Sequence, residues 1–195
     1  MKRPLIGAAL AAALALSPTL AAEQSRRILA DRVVAVVGDR FILASELEER
    51  VTVLGKFGED AAASEKSDPR WKAEARTALL RVMIDETLVL RDLERRNITI
   101  TDADMRRAIA NAAERSKRSE ADLFAEATAR GLTKEEYLGE VRRWVTTSRW
   151  TREAVIPRLD PKIASDPKLF EPGVEVRRRE ILDDMRRRTF IEVRP

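Results

Sequence analysis

The chain has 195 residues, 36% of them charged and 44% apolar, a balance that suits one soluble domain or two small ones. It contains neither cysteine nor histidine, which excludes disulfide frameworks, thiol nucleophiles, zinc sites built on Cys or His, and catalytic triads that need an imidazole. Its seven glycines form neither a Walker pattern nor a Gly-x-Gly-x-x-Gly, so nucleotide chemistry is not expected.

The net charge of +4 invites a nucleic-acid reading, and the distribution of charge removes it. Lys2 and Arg3 supply half of that excess, and the densest basic runs, residues 177–179 and 186–188, are interleaved with Glu175, Glu180, Asp183 and Asp184. Glu175 with Arg179, Asp183 with Arg187 and Asp184 with Arg188 fall at i,i+4 with the acid first, the favourable order for surface pairs on a helix. No nucleic-acid partner is expected.

Residues 1–22 read as a cleaved secretory signal peptide: Lys2-Arg3, an apolar run rich in Ala and Leu, then Pro18 and the small residues Ala21-Ala22. The apolar run is short of the roughly 20 residues that cross a bilayer, so no stable membrane anchor is expected. A short Ala-rich signal points to the bacterial periplasm. Next, residues 33–37 and 41–43 are β-branched or aromatic runs joined through Gly38-Asp39, the pattern of a hairpin. Ser45-Glu46-Leu47-Glu48 reads as a capping box, opening a helix through Leu47, Val51 and Leu54. Residues 55–67 lack a period and read as a connection.

Asp68-Pro69 starts a helix that runs to about Arg96, with Trp71, Ala75, Leu79, Val82, Met83, Leu90 and Leu93 on one apolar face and Leu80, Ile84 and Leu88 on the other. A helix apolar on both sides is central. Thr101 and Ser119 cap two further helices, the second closed by Gly131. Thr133-Lys134-Glu135-Glu136 caps a long helix whose stripe runs through Tyr137, Val141, Trp144, Val145 and Ser148 toward Pro157. Residues 159–173 are punctuated by proline and read as an irregular linker. Residues 174–188 regain helical period, and residues 189–193 alternate as a strand. A lone terminal strand needs partners for its backbone groups, so it is expected to join the hairpin. The fold class is therefore mainly α, a helical bundle with a small β-sheet formed by an N-terminal hairpin and the C-terminal strand.

Several segments carry a resemblance: Asp31-Arg32-Val33-Val34-Ala35-Val36-Val37-Gly38-Asp39, Ile42-Leu43-Ala44-Ser45-Glu46-Leu47, the stretch from Leu79 to Leu90, Ile100-Thr101-Asp102-Ala103-Asp104-Met105, and the ending from Met185 to Val193. In that order the chain resembles the SurA-type periplasmic chaperone family and its parvulin-type foldase relatives. The resemblance implies residues 31–195 as a single chaperone domain. Relatives insert parvulin domains of roughly one hundred residues between the bundle and the last helix. Here only residues 159–173 stand there, and the histidines of a parvulin site are missing. The resemblance thus implies an ATP-independent holder of unfolded outer-membrane proteins or peptides, not an enzyme and not a prolyl isomerase, with no metal or cofactor. A structural or adaptor subunit for one envelope partner is the alternative.

Six side chains are candidate client contacts. Phe124, Tyr137 and Trp144 lie at helical spacing, where filling a core competes with lining a groove and is the more usual role. Met83 and Met105 suit either gap filling or promiscuous binding. Trp150 lies about 180° from the centre of the Tyr137 to Ser148 stripe, so it is either exposed or covered by another segment such as residues 163–170. Glu86, within the apolar stripe of the central helix, is expected to reach an arginine.

Overall fold

The computed structural model describes residues 31–57 and 69–194; the expected signal peptide, Asp68 and most of the connection before it lie outside them. The hairpin forms from β1 (Val33–Val37) and β2 (Arg40–Leu43). Gly38 between them has φ 64°, a left-handed backbone that favours glycine, and the movable end of the Arg91 side chain lies over it. Residues Val34 to Val37 are all buried, as a strand flanked on both sides requires. The second flank is β3 (Ile191–Val193), antiparallel to β1 with Ala35 opposite Val193 and Val37 opposite Ile191. The sheet order is β2-β1-β3, so hairpin and last strand meet as expected.

Helix α1 (Ala44–Phe57) starts earlier than the Ser45 capping box predicts. Glu46 accepts from the Leu43 backbone N–H at 3.0 Å, while the Ser45 hydroxyl donates to Asp31, so Ser45 anchors the strand entry rather than capping the helix. Helix α2 (Pro69–Arg95) is the long central element and stops where Asn97 turns left-handed at φ 56°. Capping boxes at Thr101, Ser119 and Thr133 open α3 (Asp102–Ser116), α4 (Glu120–Ala129) and α5 (Lys134–Trp150).

After α5 the chain passes through a π-helical turn (Thr151–Val155) and a 3-10 turn (Ile156–Arg158). The expected irregular linker is instead largely helical: α6 (Pro161–Ser165), then α7 (Pro167–Arg188). Its prolines start helices more than they break them. Asp160 and Asp166 each accept from the backbone N–H two residues on, at 2.8 Å, ahead of a proline at the first helical position. Pro172 lies inside α7 and removes one ladder bond without ending it.

One large cluster joins the sheet, α1, α2, the π turn and α7 through Val37, Leu47, Leu88, Trp150, Val155 and Leu182. Two much smaller clusters serve the rest: Val53 with Ala127 and Leu132, and Met105 with Ala108 and Val145. On α7 the expected pairs of Glu175 with Arg179 and Asp184 with Arg188 form, at 3.9 and 3.1 Å. Asp183 pairs with Arg186 rather than Arg187, because Arg186 also grips both oxygens of Asp85 on α2, at 2.6 and 2.5 Å.

Candidate functional site

A groove of about 510 Å³ opens between β2, α1, α2 and α5. Its apolar lining comes from Phe41, Met83 and Leu90, with Phe41 63% and Leu90 38% exposed. Alternation along β2 explains Phe41: Ile42 turns into the core, so its neighbour turns out. Carboxylates and guanidiniums line the same groove. Arg50 donates to both oxygens of Glu86 at 2.9 and 3.3 Å and lies 3.5 Å from Glu140, so the expected arginine partner of Glu86 comes from α1. Lys56 grips Glu136 at 2.7 and 2.8 Å, which holds that carboxyl below its ordinary range together with the Thr133 backbone N–H. These pairs tie α1 to α2 and α5 along the groove.

The six sequence candidates do not form one site. Met83 lines the groove, packed on one side against the main core. Phe124 and Tyr137 form an edge-to-face pair at 5.2 Å beside Val53, Ala127 and Leu132, and burial followed by the nearby Glu126 charge raises the Tyr137 hydroxyl pKa. Met105 is buried between α3 and α5, where it fills the contact and offers almost no surface to a client.

The two tryptophans of α5 exchange the places that the stripe suggests. Trp144 is 53% exposed, with the Arg115 guanidinium 5.9 Å from its ring, beside a cavity of about 100 Å³ between α3 and α5. Trp150 is 0% exposed and donates its indole N–H to Asp92 at 2.9 Å. The stripe reading assumes one buried side, whereas α5 packs on α3 through Val141 and Val145 and on α2 through Trp150. Leu182 and Met185 of α7 share the cluster with Trp150, and the 163–170 stretch suggested by the sequence contributes no residue to it. Of the two places the sequence left open for Trp150, exposed or covered, the structure has it covered, so its indole fills the core and offers no surface to a client.

Asp92 supplies the polar partner that a buried indole needs. Burial pushes its carboxyl up, but hydrogen bonds from Arg96 and Trp150 and the charges of Arg96 and Arg95 outweigh that, leaving it below its ordinary value. Composition gave no sign of Asp92. Its signal was the mismatch of Trp150 itself, a large aromatic on a face otherwise read as polar.

Val82 and Leu90, counted with the core face of α2, are 46% and 38% exposed. Among the described residues, no helix is long and apolar enough to cross a membrane.

A model of the SurA N-terminal domain matches residues 30–151. The chain is 32% identical over 160 residues to a Chromobacterium violaceum protein named Chaperone SurA, a match that covers 82% of this chain and 36% of that protein. It is 30% identical over 136 residues to Chaperone SurA of Alcanivorax borkumensis, covering 70% of this chain and 30% of that one. A third, Chaperone SurA of Pseudoalteromonas translucida, is 26% identical over 129 residues, 66% of this chain and 29% of that protein. The chain thus spans about a third of the length of the curated relatives it matches.

Proposed function

The chain belongs to the SurA N-terminal domain family, and from that membership we propose that it is a chaperone holding unfolded polypeptides, mainly outer-membrane protein precursors, in the periplasm. It holds them through open apolar grooves, without ATP and without prolyl isomerase activity. Residues 31–195 act as one unit, and α6 with the start of α7 occupies the place of the inserted foldase domains that the resemblance implies.

The observation that carries this reading is the groove beside β2. Phe41, Met83 and Leu90 offer apolar contact in a cavity of about 510 Å³, open to solvent and rimmed by charge. Such a surface binds many apolar segments weakly, because little area is buried per contact and a flexible thioether adapts its shape. Reversible holding needs that weakness.

The test is aggregation of a denatured β-barrel protein, followed by light scattering with the pure chain and no nucleotide. Dose-dependent suppression across several unrelated clients is expected. Suppression of none, with a single folded envelope protein recovered by crosslinking, would replace the reading with a dedicated adaptor. A protease-coupled assay on a prolyl tetrapeptide should give the uncatalysed rate.

A further inference from the structure

A second cavity, about 430 Å³, opens on another flank of α2, where the end of the sheet meets it. Every charged side chain that lines it is an arginine: Arg32, Arg76, Arg81 and Arg194, around apolar groups that include Leu80 and Val193. Arg76 also reaches Glu48 at 3.0 Å and Arg194 reaches Glu192 at 3.0 Å. Arg32 also has a partner of its own, whereas Arg81 is exposed and meets no carboxylate among the described residues. The groove beside β2 is mixed instead, with Glu46, Glu49, Glu135 and Glu136 beside Arg40, Arg50 and Arg143.

The same place holds a strand edge that no described residue pairs with. The Gly38 N–H donates to the Phe190 carbonyl at 2.8 Å and the Arg194 N–H to the Val34 carbonyl at 2.9 Å. Backbone groups of successive residues in an antiparallel strand face opposite sides, so Phe190, Glu192 and Arg194 turn theirs to β1. Ile191 and Val193 turn theirs away. β3 is an outer strand of the sheet, and Val193 is 55% exposed. Backbone donors and acceptors without a partner among the described residues therefore lie next to the arginines, with Val193 and Arg194 belonging to both features.

We propose that an extended acidic segment of an unfolded polypeptide adds as a fourth strand along the outer edge of β3 and sets its carboxylates among Arg32, Arg76, Arg81 and Arg194. Main-chain bonds to Ile191 and Val193 supply sequence-independent affinity, and the arginines select for acid among the alternate side chains. This rests on the chaperone reading and gives it a client chemistry. An anionic lipid surface would also meet the arginines but would form no ladder.

The experiment measures anisotropy of two labelled peptides of alternating valine, one with glutamate and one with lysine at the intervening positions. The glutamate peptide should bind wild type about tenfold more tightly, and Arg81→Glu should abolish that preference. Val193→Pro removes an outward N–H and no bond to β1, so it should weaken the glutamate peptide about tenfold with little change in melting temperature. Should that variant fail to fold, wild type is tested with the glutamate peptide N-methylated at alternate residues, and the same loss is expected. Equal binding of both peptides, or glutamate-peptide binding unchanged by Arg81→Glu, overturns the proposal. Binding that survives both Val193→Pro and N-methylation overturns strand addition. Displacement of the peptide by phosphatidylglycerol vesicles, which bind wild type and Val193→Pro alike, overturns it in favour of a lipid surface. Aggregation suppression is run beside these measurements. Suppression without a preference for the glutamate peptide sinks this inference alone, and the preference without suppression sinks the chaperone reading alone.

Discussion

Helix α5 carries tryptophan at two positions six residues apart, to opposite effect. At Trp150 the helix enters the large core under α2 and α7, and the indole is enclosed and hydrogen-bonded to Asp92. At Trp144 the helix faces α3 alone, whose contact rests on Met105, Ala108 and Val145, and the ring is left half in solvent. The difference teaches that burial on this helix follows what packs against it at each turn, and not one continuous stripe. It also divides the molecule into a densely packed part around the sheet and a thinly packed arm of α3 to α5, where local opening should cost least.

The sharpest way to break this division is to remove residues 189–195. Loss of β3 leaves the β1 backbone without its antiparallel partner and uncovers the core that Ile191 packs against, at roughly a few kcal/mol, a large part of a domain's total stability. Thermal melting of the truncated chain should show no cooperative transition near that of wild type. Next, Trp150→Ala should cost about 3 to 5 kcal/mol in urea unfolding, as a large-to-small change in a closed core. Trp150→Phe keeps the ring but removes the N–H that Asp92 accepts, and should cost about 1 to 3 kcal/mol.

Acid sharpens the same contrast. The Asp92 carboxyl is held below its ordinary value of 3.8, so the stability it contributes is present above that value and lost as pH falls through its lower folded pKa. Asp92→Asn should therefore be less stable than wild type at neutral pH, and the gap should narrow below pH 3.8. Unfolding curves of both proteins over that range check it. Smallest of all, Trp144→Ala should change stability by no more than about 1 kcal/mol, since it loses a surface ring and one cation contact.

Much of the fold was legible because its local signals are chemically specific. Thr101, Ser119 and Thr133 each needed only a hydroxyl and an acid three residues later to announce a helix start. The lone strand at the end needed a partner, and the hairpin had a free side. What was not legible depended on tertiary contact. Ser45 had the right spacing to cap α1, yet Asp31 claims its hydroxyl. The prolines of residues 159–173 looked like breaks, although Asp160 and Asp166 ahead of two of them make them helix starts. At the candidate site, Met83 was found from its type, whereas Phe41 and Leu90 were read as ordinary strand and core residues. Their role emerges only when α1, α2 and α5 leave a groove between them.

The groove beside β2 is the proposed seat of unfolded segments. A photo-crosslinking residue placed at Phe41, at Leu90 or, as a control, at exposed Arg187 on α7 tests this directly against a denatured β-barrel client. Strong client adducts from Phe41 and Leu90 with little from Arg187 are the predicted result. Equal adducts from all three sites, or adducts from Arg187 alone, would contradict it.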